Sequence, residues 1–178
     1  MSLILIRHGE TVSSRKTYAG RSDVALNDQG RSQAQAIVQD LENQSIRLIL
    51  SSPLSRAIET ARPLARAHNL QPVVEPLLME FDFGDYEGCS KQALGLSLRK
   101  AHAHVAVPGG ESLMDVWIRA GRVHEQLTSN GPDTLGAIAV VGHFWINRMV
   151  WGRITGLDFE STCRSRDYRP LTGSVWSL

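Results

Sequence analysis

A chain of 178 residues, 42% hydrophobic and 21% charged, has the composition of an ordinary folded domain. It reads most simply as one domain over residues 1–178, large enough to bury a substantial core. Nineteen basic and 18 acidic residues leave a formal net charge of +1. That field is too weak to draw nucleic acid or an anionic membrane, whereas a small anion needs only a local cluster. No apolar run approaches a membrane span and no secretory pattern opens the chain. Cys89 and Cys163 lie far apart without metal-binding or redox spacing, so a reducing cytoplasm is the expected setting.

Leu3–Ile6 is apolar throughout and predicts a central strand covered on both faces. A polar loop follows to about Leu26. Asn27 has the chemistry of an N-cap, and Ala34, Ile37, Val38 and Leu41 recur behind it at helical spacing. Ile46–Ser52 predicts a second buried strand. Pro53 stands where a helix can begin, with Ile58, Ala61, Leu64 and Ala65 as its apolar face. Pro72–Val74 reads as a short strand, followed by an irregular segment with four acids, Glu80, Asp82, Asp85 and Glu87. A polar helical stretch is expected over 90–104, and "VPGGES" is turn chemistry. Leu113, Val116, Trp117, Ala120 and Val123 mark another helix. Leu135–His143 predicts a third buried strand, Phe144 to Gly156 a helix, and "GSVWSL" an edge strand. This alternation predicts an α/β class, a three-layer α/β/α sandwich around a mainly parallel sheet. Residues from about 80 to 110 break the alternation and read as an excursion over one end of the sheet, covering the site.

Each buried strand ends in polar chemistry: Arg7 and His8, then Ser51 and Ser52 with Arg56 soon after, then Gly142 and His143. In a parallel sheet these ends lie on one side, where ligands bind in open α/β folds. Two arginines, two histidines and the starts of following helices suit a phosphate, through charge-assisted hydrogen bonds of about 1.5–3 kcal/mol each. The Gly-rich phosphate-binding patterns are absent from the sequence. A cation beside His8 disfavours its protonation, and neutral imidazole is the nucleophilic form.

The string "LIRHGET" resembles the signature of the histidine phosphatase superfamily, with its phosphoglycerate mutase-like fold. Further blocks resemble the family in the same order: "GRSDVALNDQGRSQA", "SSPLSRAIETA", "EFDFGDYEG", "VPGGES" and "VVGHF", together covering residues 3–150. The resemblance implies that His8 is a nucleophile forming phosphohistidine. Arg7, Arg56 and His143 would hold the phosphoryl oxygens. Glu80 would protonate the leaving oxygen and then activate water. Asp82 is the local competitor, because alternate residues of an extended segment share a face. Gly20 and Arg21 fall where family members contact substrate, and Thr11 lies in the loop after the signature. Two positions depart from the family pattern. Ser14 stands where asparagine is common, and a hydroxyl could replace its hydrogen bond. His143 is followed by Phe144, whose backbone N–H could still reach phosphate while its ring narrows the pocket.

The remaining polar features read as structure. His102 and His104 are expected on solvated surface, and no metal or cofactor is implied. Trp117, Trp145, Trp151 and Trp176 are expected in the core or pocket wall. Arg164, Arg166 and Arg169 form a basic patch, one member of which is a candidate substrate contact. The resemblance thus implies a metal-independent phosphomonoesterase acting on a small phosphorylated metabolite. Among compact members of the family, "YAGRSD", "MEFDFGDYEG" and "PGGES" look most like the α-ribazole phosphatases of cobalamin biosynthesis. A broad-specificity sugar or small-metabolite phosphatase is the alternative, followed by a mutase or a non-catalytic phosphoryl-binding module. Nothing in the sequence specifies an oligomeric state.

Overall fold

The computed structural model describes residues 2–14, 16–95, 97–129, 136–168, 173 and 175–177. Five strands form one sheet: β1 (Leu3–Arg7), β2 (Ile46–Ser51), β3 (Val73–Val74), β4 (Ala137–Gly142) and β5 (Val175–Ser177). Their spatial order is β3-β2-β4-β1-β5. All neighbours are parallel except β5, which runs antiparallel along β1 at the edge. Among the described residues seven α-helices accompany them: α1 (Asp28–Asp40), α2 (Ser55–Ala67), α3 (Lys91–Leu94), α4 (Leu98–Ala101), α5 (Leu113–Ser129), α6 (Phe144–Ile154) and α7 (Phe159–Arg164).

The pleat sorts the apolar strand residues into two cores. Leu3 and Leu5 face one side with Ile138 and Val140, against α5 and α6; Ile4 and Ile6 face the other with Ile49, Ala139 and Val141, against α1 and α2. These strand side chains are almost fully buried, each contributing about 1.5–3 kcal/mol by leaving water. The three-layer α/β/α arrangement therefore follows from the central strands β1 and β4, which are apolar on both faces.

Helix starts are set by local chemistry. Asn27 Oδ1 accepts the N–H of Gly30 at 2.8 Å and opens α1. Ser112 and Asp115 bond reciprocally at the start of α5: the Ser112 N–H donates to Asp115 Oδ2 at 2.8 Å, its hydroxyl donates to the same oxygen at 2.6 Å, and the Asp115 N–H donates to Ser112 Oγ at 3.2 Å.

Several expectations shift. Ile58 is only half-buried, and the inner face of α2 is formed instead by Ala57, Thr60, Ala61, Leu64, Ala65 and, unexpectedly, Arg56. The helical stretch expected over 90–104 is two short helices, because Gly95 takes a left-handed conformation (φ 52°) that ends α3. Trp176 lies on the edge strand, 38% exposed, rather than in a core. Arg169 and Leu135 fall outside the described residues. No helix among the described residues is long and apolar enough to cross a membrane.

The register positions the site. Arg7 pairs with Gly142 and Ser51 with Val141, so β1, β2 and β4 end at one level. The chain leaving β1 then runs directly against the first turn of α1. A Cβ on Gly9 would stand 2.4 Å from the Gly30 carbonyl oxygen, and one on Gly30 would stand 2.0 Å from that of Glu10. Because backbone meets backbone there, Gly30→Ala is expected to lower the urea midpoint, at an unchanged m-value, by the equivalent of about 1–3 kcal/mol. A wild-type midpoint in the variant would contradict this close packing.

Candidate active site

His8 follows β1 directly. Its N–H donates to the Gly142 carbonyl at 3.0 Å, extending the β1–β4 ladder by one residue. The ring is 7% exposed, and Nδ1 lies 2.7 Å from the carbonyl oxygen of Gly9. A carbonyl can only accept, so Nδ1 carries the proton and Nε2 keeps its lone pair. Gly9 is itself held, its N–H donating to Thr60 Oγ1 at 3.0 Å, while the Thr60 hydroxyl donates to the Arg56 carbonyl at 2.7 Å. Burial is the largest cause holding the His8 pKa well below its ordinary 6.5, followed by the charges of Arg56 and then Arg7. The sequence points to the adjacent Arg7 as the agent of this effect; the fold makes burial and Arg56 the larger ones.

Arg56 sits in the first turn of α2 and is 2% exposed. Nη2 donates to the Gly20 carbonyl at 2.6 Å, Nη1 to the Ser22 carbonyl at 2.8 Å and Nε to His143 Nδ1 at 3.2 Å. Three of its five donor hydrogens are thus engaged, and two are left for a ligand. Since His143 Nδ1 accepts, its Nε2 carries the hydrogen and donates to Ser52 Oγ at 2.8 Å. Burial first, then Arg56, lowers the His143 pKa well below 6.5. The two imidazole centroids are 4.9 Å apart. His143, expected to hold phosphoryl oxygens, has no exposed surface and does not line the cavity; it contacts Arg56 and His8 instead.

The cavity above these groups has a volume of about 610 Å³. Arg7, His8, Arg56 and Glu80 line it, and Lys91, Ser97, Leu98 and Arg99 of the excursion form one wall. Glu80 and Asp82, which the sequence leaves as rivals, are separated here. Glu80 Oε1 accepts from the Phe81 N–H at 2.9 Å and the Trp145 N–H at 3.0 Å, and Oε2 accepts from the Phe144 N–H at 2.9 Å. Its carboxylate thus sits at the start of α6, facing the cavity. Asp82 instead accepts the Gly84 N–H at 2.9 Å and pairs with Arg21 at 3.1 Å, away from the cavity lining.

The other expected residues divide. Thr11, Ser14 and Gly20 line the cavity. Ser14 Oγ accepts the Thr11 N–H at 2.9 Å, so the hydroxyl standing in for asparagine braces the loop. Arg21 is corrected: its guanidinium pairs with Asp82 and with Glu111 at 2.7 Å and does not line the cavity. Phe144 contributes its ring, over which Arg7 Cζ lies at 5.3 Å, but its N–H is engaged by Glu80. Arg164 pairs with Glu160 and neither it nor Arg166 lines the cavity. His104 Nε2 is 3.3 Å from Glu160, and no group of three possible metal ligands occurs among the described residues. Sequence reasoning did not single out Ser52 as the partner of His143, Thr60 as the brace of Gly9, or the cavity cations Lys91 and Arg99. Only Ser52 carried a signal, lying at a strand end already marked as functional.

A neutral, buried imidazole with an available lone pair, two guanidinium groups and a facing carboxyl suit a tetrahedral anion that is attacked at its centre. The family model of the histidine phosphatase superfamily (branch 1) matches residues 3–169. The chain belongs to this superfamily. Among sequence relatives of this histidine phosphatase chain, the bifunctional protein Rv2228c of Mycobacterium tuberculosis H37Rv is 36% identical over 133 residues. That match covers 70% of this chain and 36% of the relative, so the chain spans about a third of that relative's length. Phosphoserine phosphatase 1 of Hydrogenobacter thermophilus is 29% identical over 169 residues, covering 90% of this chain and 79% of the relative. The solved structure of mycobacterial glucosyl-3-phosphoglycerate phosphatase Rv2419c with VO3 superposes with a TM-score of 0.89 at 26% identity, covering 99% of this chain and 92% of that one. The α-ribazole phosphatase of Shigella flexneri does so with 0.85 at 29% identity, covering 99% and 89%.

Both histidines are neutral in the folded chain, whereas in the unfolded chain they titrate near 6.5. Their contribution is complete above pH 6.5. As pH falls from there toward their lowered folded values, the unfolded state takes up protons that the folded state does not, and stability falls. Urea melts between pH 7.5 and 5 are expected to show this loss, up to about 1.4 kcal/mol per pH unit for each histidine. A His8→Asn variant should lose stability less steeply; equal slopes would contradict the burial of a neutral His8.

Proposed function

We propose that this chain is a phosphoric monoester hydrolase that needs no metal and works through a phosphohistidine. The observation that carries this reading is His8, Nδ1-protonated and neutral, lining one cavity with Arg7, Arg56 and Glu80. Side chains supply both the nucleophile and the positive charge that the transferring group requires. The His8 Nε2 lone pair attacks phosphorus, and the bond from phosphorus to the ester oxygen breaks. Glu80, as the general acid, delivers a proton to that oxygen and the alcohol departs. In the second half, the Glu80 carboxylate takes a proton from water as the water oxygen attacks phosphorus. The N–P bond breaks, phosphate leaves and His8 returns to its neutral form. Arg7 and Arg56 balance charge on the phosphoryl oxygens in both halves. His143 holds Arg56 in place through Nδ1.

The substrate is a small phosphorylated metabolite, and the expected setting is the cytoplasm. Two readings of its identity have support. The sequence blocks and the likeness to the Shigella enzyme favour α-ribazole 5'-phosphate, hence a role in cobalamin biosynthesis. The likeness to glucosyl-3-phosphoglycerate phosphatase and to phosphoserine phosphatase favours a phosphate ester of a hydroxy acid.

With p-nitrophenyl phosphate in EDTA, turnover is expected to persist, and His8→Ala to abolish it. Glu80→Gln is expected to lower kcat by about 10²–10⁴-fold. Phosphate binding without turnover of any monoester would contradict the reading in favour of a binding module. A metal requirement would contradict the mechanism. A panel containing α-ribazole 5'-phosphate and phosphorylated hydroxy acids, ranked by kcat/KM, decides between the two substrate readings.

A further inference from the structure

Glu80 stands on a segment that belongs to no strand. β3 ends at Val74, and the chain makes one short turn over Pro76–Leu78 before reaching Glu80. A general acid must nevertheless be held within a fraction of an ångström of its working position. Leu78 and Phe81, on either side of it in sequence, are fully buried in the core shared with α5 and α6. The backbone between and around them has no sheet ladder to fix it.

One residue of α5 takes the place of that ladder. Arg119 Nη1 donates to the carbonyls of Leu77 at 2.8 Å and Met79 at 2.6 Å, and Nη2 donates to that of Glu80 at 3.3 Å. Nε and Nη2 also donate to the Glu111 carboxylate, at 3.3 and 2.9 Å. Glu111 Oε2 in turn accepts the Asp82 N–H at 3.1 Å, and the Glu111 N–H donates to the Asp82 carbonyl at 3.0 Å. A Cβ on Gly110 would stand 2.4 Å from that same carbonyl oxygen, so the loop carrying Glu111 lies hard against the segment. All five donor hydrogens of Arg119 are therefore engaged and none is left for a ligand. Arg119 does not line the cavity, whereas Arg7 and Arg56 do. An ammonium, a point charge with three donors, could not span three carbonyls and a carboxylate as this planar fork does.

Resting on the phosphatase reading above, we infer that Arg119 is a positioning residue for the general acid. It clamps the backbone on which Glu80 stands, while the N–H groups at the start of α6 hold the carboxylate. Two helices thus fix one side chain from both ends. Through Arg119, α5 and Glu111 act on proton transfer to the leaving oxygen without touching the substrate.

The test separates an effect on Glu80 from a general loss of structure. Phenyl phosphate and p-nitrophenyl phosphate are similar in shape, but phenolate is the poorer leaving group and depends more on protonation. The measured quantity is kcat/KM for p-nitrophenyl phosphate divided by that for phenyl phosphate, within one protein sample, so that the folded fraction cancels. Arg119→Gln is expected to raise this ratio about tenfold or more, through selective loss on phenyl phosphate. Glu80→Gln is expected to raise it at least as far. Adding Arg119→Gln to Glu80→Gln is expected to leave it within about twofold of the Glu80→Gln value, because the two act as one unit. Arg119→Lys, which keeps the charge and loses the fork, is expected to fall between wild type and Arg119→Gln. A ratio unchanged in Arg119→Gln while Glu80→Gln raises it overturns the inference and leaves the phosphatase reading intact. So does an effect of Arg119→Gln that persists undiminished in the Glu80→Gln background, which marks a structural role, and so does failure of both Arg119 variants to fold. A wild type that hydrolyses neither ester, or a Glu80→Gln variant with an unchanged ratio, removes the reading on which the inference stands.

Discussion

The bond from His8 Nδ1 to the Gly9 carbonyl, 2.7 Å long, sets the chemistry of the whole site. It fixes the tautomer, and the tautomer leaves the Nε2 lone pair available. Its own geometry depends on Gly9, which is held by Thr60 and pressed against Gly30 at the start of α1. A protonated His8 would be a third cation beside half-buried Arg7 and buried Arg56 and could not act as a nucleophile. The charges that attract the anion therefore also keep the nucleophile usable. Burial, the largest cause, comes from the same packing of β1 between two helical layers that makes the fold.

Burying a guanidinium costs several kcal/mol unless its donors are satisfied. Arg56 is satisfied by the Gly20 and Ser22 carbonyls and by His143. Those carbonyls are held in turn by Glu87, which accepts the Arg21 N–H at 2.5 Å and the Ser22 hydroxyl. Gly20 adopts φ 46°, and a Cβ there would meet the Glu87 carboxylate at 2.1 Å. Glu111 binds both Arg21 and Arg119, and Arg119 donates to the carbonyls of Leu77 and Met79, just ahead of Glu80. A continuous polar network thus links the loop that clamps Arg56 to the segment that carries Glu80. The acids of the irregular segment divide by task. Glu80 faces the cavity, while Asp82 and Glu87 secure its rim.

Much of this was legible in the sequence because strands buried on both faces must read as unbroken apolar runs. Leu3–Ile6 and Ala137–Gly142 do so, whereas Ile46–Ser51, expected to be buried throughout, carries Arg47 and leaves Leu48 and Leu50 half-buried; the polar residues that follow the three strands lie at the sheet's carboxyl edge. The parallel register then brings His8, Arg56 and His143 together. Local periodicity could not separate Glu80 from Asp82, because the segment is irregular and their difference is tertiary: one meets the start of α6 and the other meets Arg21. Arg21 was misplaced for the same reason, since nothing local shows that Glu111, 90 residues away, neutralises it. Ser52, Lys91 and Arg99 gain their meaning only from neighbours distant in sequence, His143 for the first and the Tyr18 and Trp145 rings for the others.

The chemistry of the site rests on a neutral His8 with its proton on Nδ1, beside two guanidinium groups. Long-range ¹H–¹⁵N correlation spectra of the folded protein across a pH titration, with His8→Asn to assign the signal, test it most directly. The expected result is the shift pattern of a neutral, Nδ1-protonated imidazole at pH 6.5, persisting well below that pH. A His8 that titrates near 6.5, or that carries its neutral-state proton on Nε2, would contradict it.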